Sequence, residues 1–210
     1  MAKLIGINGR IGSGKDTIGM IIQAFTLNKS GEWNVDPVWY CKSFLSSPNF
    51  SAGYQIKKYA SKLKQIASIL TGIPVEKFED QEFKKTQLGW EWGGITVREF
   101  LQRLGTECVR DHLHVNAWLI AAFAEYNENS KWIFTDLRFA NEFNAIDDRM
   151  GVTIKVTRQL PNLNYNTLET LHPSETALDN HKFKYYIENN GTLEELVEKV
   201  KIILQAENII

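Results

Sequence analysis

A glycine-rich stretch near the start of the chain carries the residue types that bind phosphate. Residues 9–17 read GRIGSGKDT and directly follow the apolar run at residues 4–7. Glycines at this spacing let the backbone turn its N–H groups inward around an anion, and the helix that follows adds its positive N-terminal end. Lys15 would reach the β- and γ-phosphates of a nucleotide as a point charge. The stretch is therefore predicted to be a phosphate-binding loop, a P-loop, between a strand and a helix.

Asp16 departs from the usual pattern of such loops, which place a Ser or Thr after the lysine to bind Mg²⁺. Two interpretations are open. Asp16 holds the ion through a water molecule, or it stabilises the helix N-terminus as an acidic residue of the first turn. Thr17 is then the nearest hydroxyl and is placed for the α-phosphate.

The elements that position this loop follow from the apolar periodicity of the chain. Strands are predicted at residues 3–8, 54–59, 131–136, 152–157 and 184–188, with a short strand-like run at residues 38–41. Helices are predicted at residues 15–27, from an N-cap at Ser61 to Gly72, from the capping box at Thr96 toward Arg110, and at residues 116–126, 141–150 and 192–206. Because strands alternate with helices, we predict an α/β fold with a parallel sheet covered on both faces.

Polar and charged residues follow several of the predicted strands. Asp136 and Arg138 follow one strand, Arg158 follows the next, and residues 189–191 follow the last. The carboxyl ends of parallel strands lie at one edge of a sheet, where open α/β sheets bind their ligands. These residues and the glycine loop are therefore expected to meet at one crevice.

The composition favours one α/β domain over residues 1–210, with 43% hydrophobic residues. The formal net charge of −1 gives no global field that attracts nucleic acid or a membrane surface, so neither is expected as a partner. Cys41 and Cys108 lack metal-type spacing and are expected to be free thiols in a reducing cytoplasm. No apolar stretch has the length of a transmembrane helix, and the first apolar run ends in the glycine loop rather than in a cleavage site.

Among P-loop functions, the residues favour phosphoryl transfer. The sequence has no Asn-Lys-x-Asp motif that would read guanine. Phosphoryl transfer requires two anionic reactants to be held in line while their charge is neutralised. Arginines in candidate crevice positions fit that requirement together with Lys15 and Mg²⁺, namely Arg98, Arg103, Arg110, Arg138 and Arg158.

Five motifs in order resemble the bacteriophage-type deoxynucleoside monophosphate kinases: residues 12–17, 78–84, 101–107, 135–142 and 172–175. The resemblance extends to residues 189–195 and leaves only residues 28–53 clearly outside. It implies a three-layer α/β/α P-loop NTPase fold of the adenylate-kinase type with about five parallel strands, a helical acceptor-binding region at about residues 61–128 and a lid-like loop at about residues 159–180. It also implies transfer of the ATP γ-phosphate to a deoxynucleoside monophosphate, with Mg²⁺, in the cytoplasm, the host's if the chain is phage-encoded.

The resemblance assigns roles to the loop and the strand ends. Lys15 and Arg138 act on the transferring phosphate, and Asp136 orients Mg²⁺ or its waters. The alternatives are a plain strand-end cap for Asp136 and a surface ion pair with Glu142 for Arg138. The catalytic set is Lys15, Asp136, Arg138 and Arg158; the metal set is Asp16 and Asp136, acting through water; the ATP set is Arg10, Gly12, Ser13, Gly14, Lys15, Asp16, Thr17 and Asn190. Residues 189–192 would line the adenine pocket or merely form the turn before a capped helix.

By the same resemblance, the helix after Thr96 is expected to bind the acceptor nucleotide, and bidentate binding of phosphate by guanidinium groups is the reason to prefer arginine there. The acceptor set is Arg98, Gln102, Arg103, Thr106, Arg110, Trp118 and Glu175. An ordinary surface position is the alternative for each arginine. A core position is the alternative for Trp118, and its place on an apolar helix favours that alternative. The charged run at residues 79–85 is interpreted as a solvated face.

His172 and Glu175 fall in the lid-like loop, whose closure would exclude water from the reaction. A phosphate monoester dianion needs no deprotonation, so His172 is assigned a loop-ordering hydrogen bond rather than the role of a general base. Two other functions are open: another small-molecule P-loop kinase, acting on dephospho-coenzyme A or phosphomevalonate, and a regulatory module that holds ATP without turnover. The sequence leaves open the accepted bases, the choice between deoxyribose and ribose, and the oligomeric state, a homodimer included.

Overall fold

The structure is a computed structural model that describes residues 2–29, 34–43, 53–159 and 176–210. The chain divides into two compact units. One, which we call the sheet unit, comprises Met1–Lys57 and Asn127–Ile210, and the other, the helical unit, comprises Lys58–Tyr126. Within the described residues, no helix is both long enough and apolar enough to cross a membrane.

The sheet unit is built on five parallel strands in the order β2-β3-β1-β4-β5. The strands are β1 (Leu4–Gly9), β2 (Gln55–Lys57), β3 (Trp132–Phe134), β4 (Val152–Thr157) and β5 (Tyr185–Glu188). Strands β1, β3 and β4 are almost continuously buried, as parallel strands covered on both faces must be. The predicted parallel sheet of about five strands is confirmed.

Helices cover both faces of this sheet. Ile5 and Ile7 of β1 share an apolar cluster with helix α1 (Lys15–Lys29) and helix α7 (Leu193–Ala206). Gly6 points to the opposite face, where a Cβ atom would lie 3.2 Å from Ile146 in helix α6 (Ala140–Asp147). A short helix α2 (Pro37–Ser43) packs beside α1. The sheet unit is therefore a three-layer α/β/α structure, as the sequence predicts.

The helical unit contains three α-helices, α3 (Ala60–Thr71), α4 (Val97–Gln102) and α5 (Ala117–Phe123). Short 3₁₀ turns lie between α3 and α4 at Val75–Glu79, Phe83–Lys85 and Trp90–Trp92, and a π-helix at Arg103–Asp111 continues α4. The core of the helical unit is a separate apolar cluster of Ala67, Phe78, Leu88, Val97 and Phe100.

Two predictions about local structure are wrong. The strand-like run at residues 38–41 is helical, because Asp36 accepts a hydrogen bond from the N–H of Trp39 at 2.6 Å and Pro37 occupies the first helical position. Ser61 is not an N-cap, since α3 already begins at Ala60. The helix after Thr96 runs toward Arg110 as predicted, with π geometry from Arg103 onward.

Other boundaries follow the predicted capping chemistry. Thr96 accepts a hydrogen bond from the N–H of Glu99 at 3.1 Å, and Thr192 accepts one from Glu195 at 3.2 Å. Gly72 ends α3 in the left-handed conformation, with φ of 71°. Of the predicted lid-like loop at residues 159–180, residues 160–175 lie outside the described residues.

Candidate active site

The glycine loop connects β1 to α1 at the carboxyl edge of the sheet. Gly12 and Gly14 have φ values of 78° and 98°, a left-handed conformation that other residues adopt only with strain. The N–H of Ser13 donates to the carbonyl of Arg10 at 3.1 Å, and the N–H of Ile18 donates to Gly14 at 3.0 Å. The loop therefore makes a tight turn that leads directly into the N-terminus of α1, the geometry that an anion-binding nest requires.

The amino group of Lys15 lies against this loop. Its Nζ donates to the carbonyl oxygens of Gly9 at 2.5 Å and Arg10 at 2.8 Å. The side chain therefore folds back over the loop instead of extending away from it. A phosphate held by the loop amides would be a stronger, charged acceptor for the same ammonium group.

The inner side of the loop is tightly packed. A Cβ atom at Gly9 would come within 2.6 Å of both Ser13 Oγ and the carbonyl oxygen of Val156, so only glycine fits there. Ser13 is 2% exposed, and its hydroxyl makes no hydrogen bond to any part of the chain that the structure describes. A buried hydroxyl without a partner is costly, so it is a group that a loop-bound anion could satisfy.

Asn189 holds the loop from the end of β5, and sequence analysis did not single it out. Its Nδ2 donates to the backbone carbonyl of Ser13 at 2.9 Å, and the residue is only 8% exposed. The neighbouring Asn190, which was assigned to ATP, accepts a hydrogen bond from the N–H of Gln159 at 2.8 Å. The available signal was the position of both asparagines directly after a predicted strand.

Asp16 receives a hydrogen bond from the end of β3. The hydroxyl of Thr135, which is 1% exposed, donates to Asp16 Oδ1 at 2.7 Å. Gly19 of α1 permits this approach, since a Cβ atom there would lie 2.7 Å from Thr135 Cγ2. Sequence analysis placed Thr135 in a motif but gave it no role. The carboxylate of Asp16 is thus oriented by a residue from the neighbouring strand as well as by its place at the start of α1.

Asp136 and Arg138 follow Thr135 on a well-anchored segment, and both are half-buried. Asn8 donates from Nδ2 to the carbonyl of Leu137 at 2.8 Å. Glu142, which is 3% exposed, accepts hydrogen bonds at Oε2 from the backbone N–H groups of Arg138 at 2.8 Å and of Phe139 at 3.1 Å. These bonds give Glu142 a structural role: its carboxylate fixes the backbone that carries Arg138.

Arg10 and Arg158 also belong to the sheet unit. Arg158 is exposed and follows β4. Arg10 Nη2 lies 3.9 Å from Asp179 Oδ2, and Asp179 also accepts from Lys155 Nζ at 3.0 Å. Because Arg10 and Asp179 are about half exposed, water screens this ion pair, which leaves Arg10 available to a charged ligand.

The predicted acceptor residues of the helical unit differ in burial and in partners. Arg98 is half-buried and donates to Gln81 Oε1 at 3.2 Å, whereas Arg103 is exposed and pairs with Glu99 at 2.6 Å. Arg110 is 9% exposed. Gln102 and Thr106 are half-buried, and Glu175, like His172, lies outside the described residues.

Trp118 is 7% exposed, and its indole N–H donates to the carbonyl of Gly105 at 2.8 Å. This bond satisfies the only polar group of the side chain. The burial and the bond favour the core interpretation of Trp118 over stacking on an acceptor base.

The charged run at residues 79–85 is not uniformly solvated. Lys64, which is 8% exposed, donates to Glu79 Oε1 at 2.6 Å, and Lys58 Nζ lies 3.8 Å from the other carboxylate oxygen. Burial raises the pKa of Glu79, but the hydrogen bond from Lys64 and the lysine charges nearby outweigh it, so the net pKa is lowered. Lys85 instead forms an exposed pair with Glu82 at 2.7 Å. The interpretation as a solvated face therefore holds for Lys85 and for Glu79, whose side chain is exposed, although Glu79 also pairs with the buried Lys64.

The two cysteines are free thiols, as expected. Burial, and to a lesser degree the charge of Asp36, raises the pKa of Cys41 to about 11, so this thiol is protonated and unreactive at neutral pH. Among the described residues, no group of three or more His, Cys, Asp or Glu side chains is arranged to hold a metal ion.

The parallel sheet, with a glycine loop and a lysine at the carboxyl end of β1, defines a P-loop α/β protein. The sequence profile of the deoxynucleotide monophosphate kinase family matches residues 49–200, which is well over half of the chain. The chain belongs to the deoxynucleotide monophosphate kinase family, and the kinase class predicted from its motifs is confirmed. The matched region begins after the loop, so the loop is supported by its own geometry.

Individual relatives agree with this family. The chain is 27% identical over 163 residues to a "Putative deoxynucleotide monophosphate kinase" of Acanthamoeba polyphaga mimivirus, covering 70% of this chain and 81% of the relative. It is 23% identical over 214 residues to the deoxynucleoside-5′-monophosphate kinase of Escherichia phage T5, covering 85% and 86%. Among solved structures, shikimate kinase from Aquifex aeolicus aligns over 98% of both chains with 13% identity and a TM-score of 0.45.

Proposed function

We propose that the protein transfers the γ-phosphoryl group of ATP to a deoxynucleoside 5′-monophosphate. An oxygen of the acceptor's 5′-phosphate attacks the γ-phosphorus, the bond to the β-phosphate oxygen breaks, and ADP and a deoxynucleoside diphosphate result. The observation that carries the proposal is the Lys15 ammonium group seated on the carbonyls of Gly9 and Arg10 in a loop built by left-handed glycines. Family membership supplies the acceptor class.

In this proposal the loop binds the donor. The amides of residues 12–14 hold the β-phosphate, Lys15 moves from its carbonyl partners to the β- and γ-phosphates, and Thr17 meets the α-phosphate. Arg10 screens the triphosphate charge, and Asn190 borders the adenine. The buried Ser13 hydroxyl and the tight fit at Gly9 support an anion at this position.

Asp16 and Asp136 are the residues that would hold Mg²⁺, through water. Mg²⁺ in kinases commonly uses one or two carboxylates and completes its shell with waters and substrate phosphates, so two carboxylates suffice. The hydrogen bond from Thr135 to Asp16 fits this role because it fixes the direction of one carboxylate. When bound, the ion would neutralise charge that develops on the phosphate oxygens.

Arg138 and Arg158 are proposed to neutralise charge on the transferring phosphoryl group. The segment of Arg138 is fixed by Glu142, which supports a positioned guanidinium rather than a mobile one. On the acceptor side, the proposal keeps Arg98, Gln102, Arg103, Thr106, Arg110 and Glu175, and treats Trp118 as a core residue.

A coupled assay of ADP formation tests the function. Purified protein with ATP and Mg²⁺ is offered dAMP, dCMP, dGMP and dTMP, and then the ribonucleotides. We expect turnover with at least one deoxynucleotide and its loss in Lys15→Ala. ATP binding without product from any monophosphate would refute the proposal.

A further inference from the structure

The helical unit holds a group of basic side chains around a single carboxylate. Lys64 and Lys58 approach the two carboxylate oxygens of Glu79, at 2.6 and 3.8 Å. Lys84 Nζ lies 3.4 Å from the backbone carbonyl of Glu79. We call Lys58, Lys64, Lys84 and Arg98, with Glu79 at their centre, the lysine cluster.

These side chains come from separate elements. Lys64 belongs to α3, Glu79 ends one 3₁₀ turn, Lys84 sits in the next, and Arg98 belongs to α4. Arg98 reaches the group through Gln81, the second residue after Glu79. Such convergence from distant positions is typical of a built site rather than of alternating charges along one solvated helix.

The charges of the lysine cluster do not balance. Lys64, Lys84 and Arg98 alone place three cations near one carboxylate. Burial, and after it the charges of Lys64, Arg98 and Lys58, lower the pKa of Lys84 to about 8, although the charge of Glu79 partly opposes this shift. An added anion would relieve the repulsion, and a dianion would do so best.

We propose that the lysine cluster binds the 5′-phosphate of the acceptor nucleotide. The chemistry it recognises is a phosphate monoester dianion, whose three terminal oxygens can accept from several ammonium groups and a guanidinium together. This inference rests on the proposed function, and it adds Lys84 and Lys58 to the proposed acceptor contacts of Arg98 and Arg103.

Stability separates this role from a structural one. A lysine whose pKa is lowered in the folded state binds its proton less tightly there than in the unfolded chain, so its charge opposes folding at every pH below about 8. Removing Lys84 should therefore leave the melting temperature at pH 7 unchanged or raise it. A lysine kept for structure would lower the melting temperature when removed.

The test compares two neighbouring lysines. We expect Lys84→Met to raise KM for the deoxynucleoside monophosphate about tenfold to a hundredfold, the range for losing a hydrogen bond to a charged group, with KM for ATP unchanged. Lys85→Met, which removes an exposed lysine paired with Glu82, should change neither constant. Lys84→Arg keeps the positive charge and should restore most of the lost affinity.

Inorganic phosphate provides a second readout. With ATP saturating, so that the glycine loop is filled, phosphate should inhibit competitively against the monophosphate, and Lys84→Met should weaken this inhibition about tenfold. Equal KM values in Lys84→Met and Lys85→Met, or a fall in melting temperature confined to Lys84→Met, would overturn the inference while leaving the kinase function intact.

Failure of the kinase function gives a different result. If no monophosphate is phosphorylated, phosphate binding is measured by ³¹P NMR with a non-hydrolysable ATP analogue filling the loop. Binding that is lost in Lys84→Met and kept in Lys85→Met would then support the anion site without the function. Absence of phosphate binding to the wild-type protein would overturn the site.

Discussion

The hydrogen bond from Thr135 to Asp16 allows a direct test of how the loop's unusual aspartate is used. Thr135→Val keeps the branched shape of the side chain, including the Cγ2 that packs at Gly19, and replaces the hydroxyl with a methyl group. If Asp16 orients Mg²⁺ through water, its carboxylate must point in a fixed direction. The variant removes the hydrogen bond that the carboxylate receives from β3.

The expected size of the effect follows from the geometry. A hydrogen bond to a charged group contributes about 1.5–3 kcal/mol, and the low end applies here because Asp16 is exposed and water replaces part of the lost bond. About 1.5 kcal/mol corresponds to roughly a tenfold change. We therefore expect Thr135→Val to raise the Mg²⁺ concentration for half-maximal activity, or to lower kcat, by that factor. KM for the acceptor should stay unchanged.

Thr153→Val is the matched control. Thr153 is also a buried threonine, 2% exposed, but lies near the start of β4 and accepts from the N–H of Lys184 at 3.1 Å. Both variants should lose about 1 kcal/mol of folding stability, a few degrees in melting temperature for a chain of this size. Steady-state kinetics across a Mg²⁺ titration then distinguish them. If Thr135→Val and Thr153→Val have the same Mg²⁺ dependence and the same kcat, the carboxylate of Asp16 acts only on the helix N-terminus.

Other perturbations separate the remaining roles. Lys15→Ala should lower kcat on the order of a thousandfold with folding unchanged, measured by the coupled assay and thermal melting. Asn189→Ala should raise KM for ATP about tenfold, because it removes the bond to the Ser13 carbonyl; an unchanged KM would show that the loop holds its shape alone. Arg138→Ala should reduce kcat by a similar factor to Lys15→Ala, whereas Arg103→Ala should change mainly KM for the acceptor; an Arg138→Ala effect confined to KM would remove its transition-state role. With the pKa of Lys84 near 8, KM for the acceptor should rise above pH 8 in the wild type and stay level in Lys84→Arg, whose guanidinium remains charged; parallel profiles would argue against phosphate binding by Lys84.

The elements that could be predicted are those specified by local chemistry. β4 carries Val152, Ile154 and Val156 on one face and is buried over most of its length, and its bounds match the prediction. The capping boxes at Thr96 and Thr192 correctly placed the starts of two helices. α2 was missed because the β-forming residues at 38–40 suggested a strand, whereas the cap at Asp36 decided the conformation.

The site could be predicted only as far as it is local. The glycine loop is contiguous, so spacing alone indicated its geometry and the position of Lys15. Thr135 contacts Asp16 across 119 positions of sequence, and Asn189 contacts Ser13 across 176. Periodicity places such residues at a strand end but cannot tell which of two neighbouring asparagines, Asn189 or Asn190, contacts the loop.

The same limit explains why the sequence did not reveal the lysine cluster. Lys84 and Lys85 are adjacent and chemically identical in the sequence, so any argument from composition treats them alike. Their environments diverge because the turn at Phe83–Lys85 directs one side chain to Glu79 and the other to Glu82. Adjacent charged residues in a sequence therefore do not distinguish a solvated surface from a binding site. Partial burial among unbalanced cations does, since such burial costs stability unless a bound ligand offsets that cost.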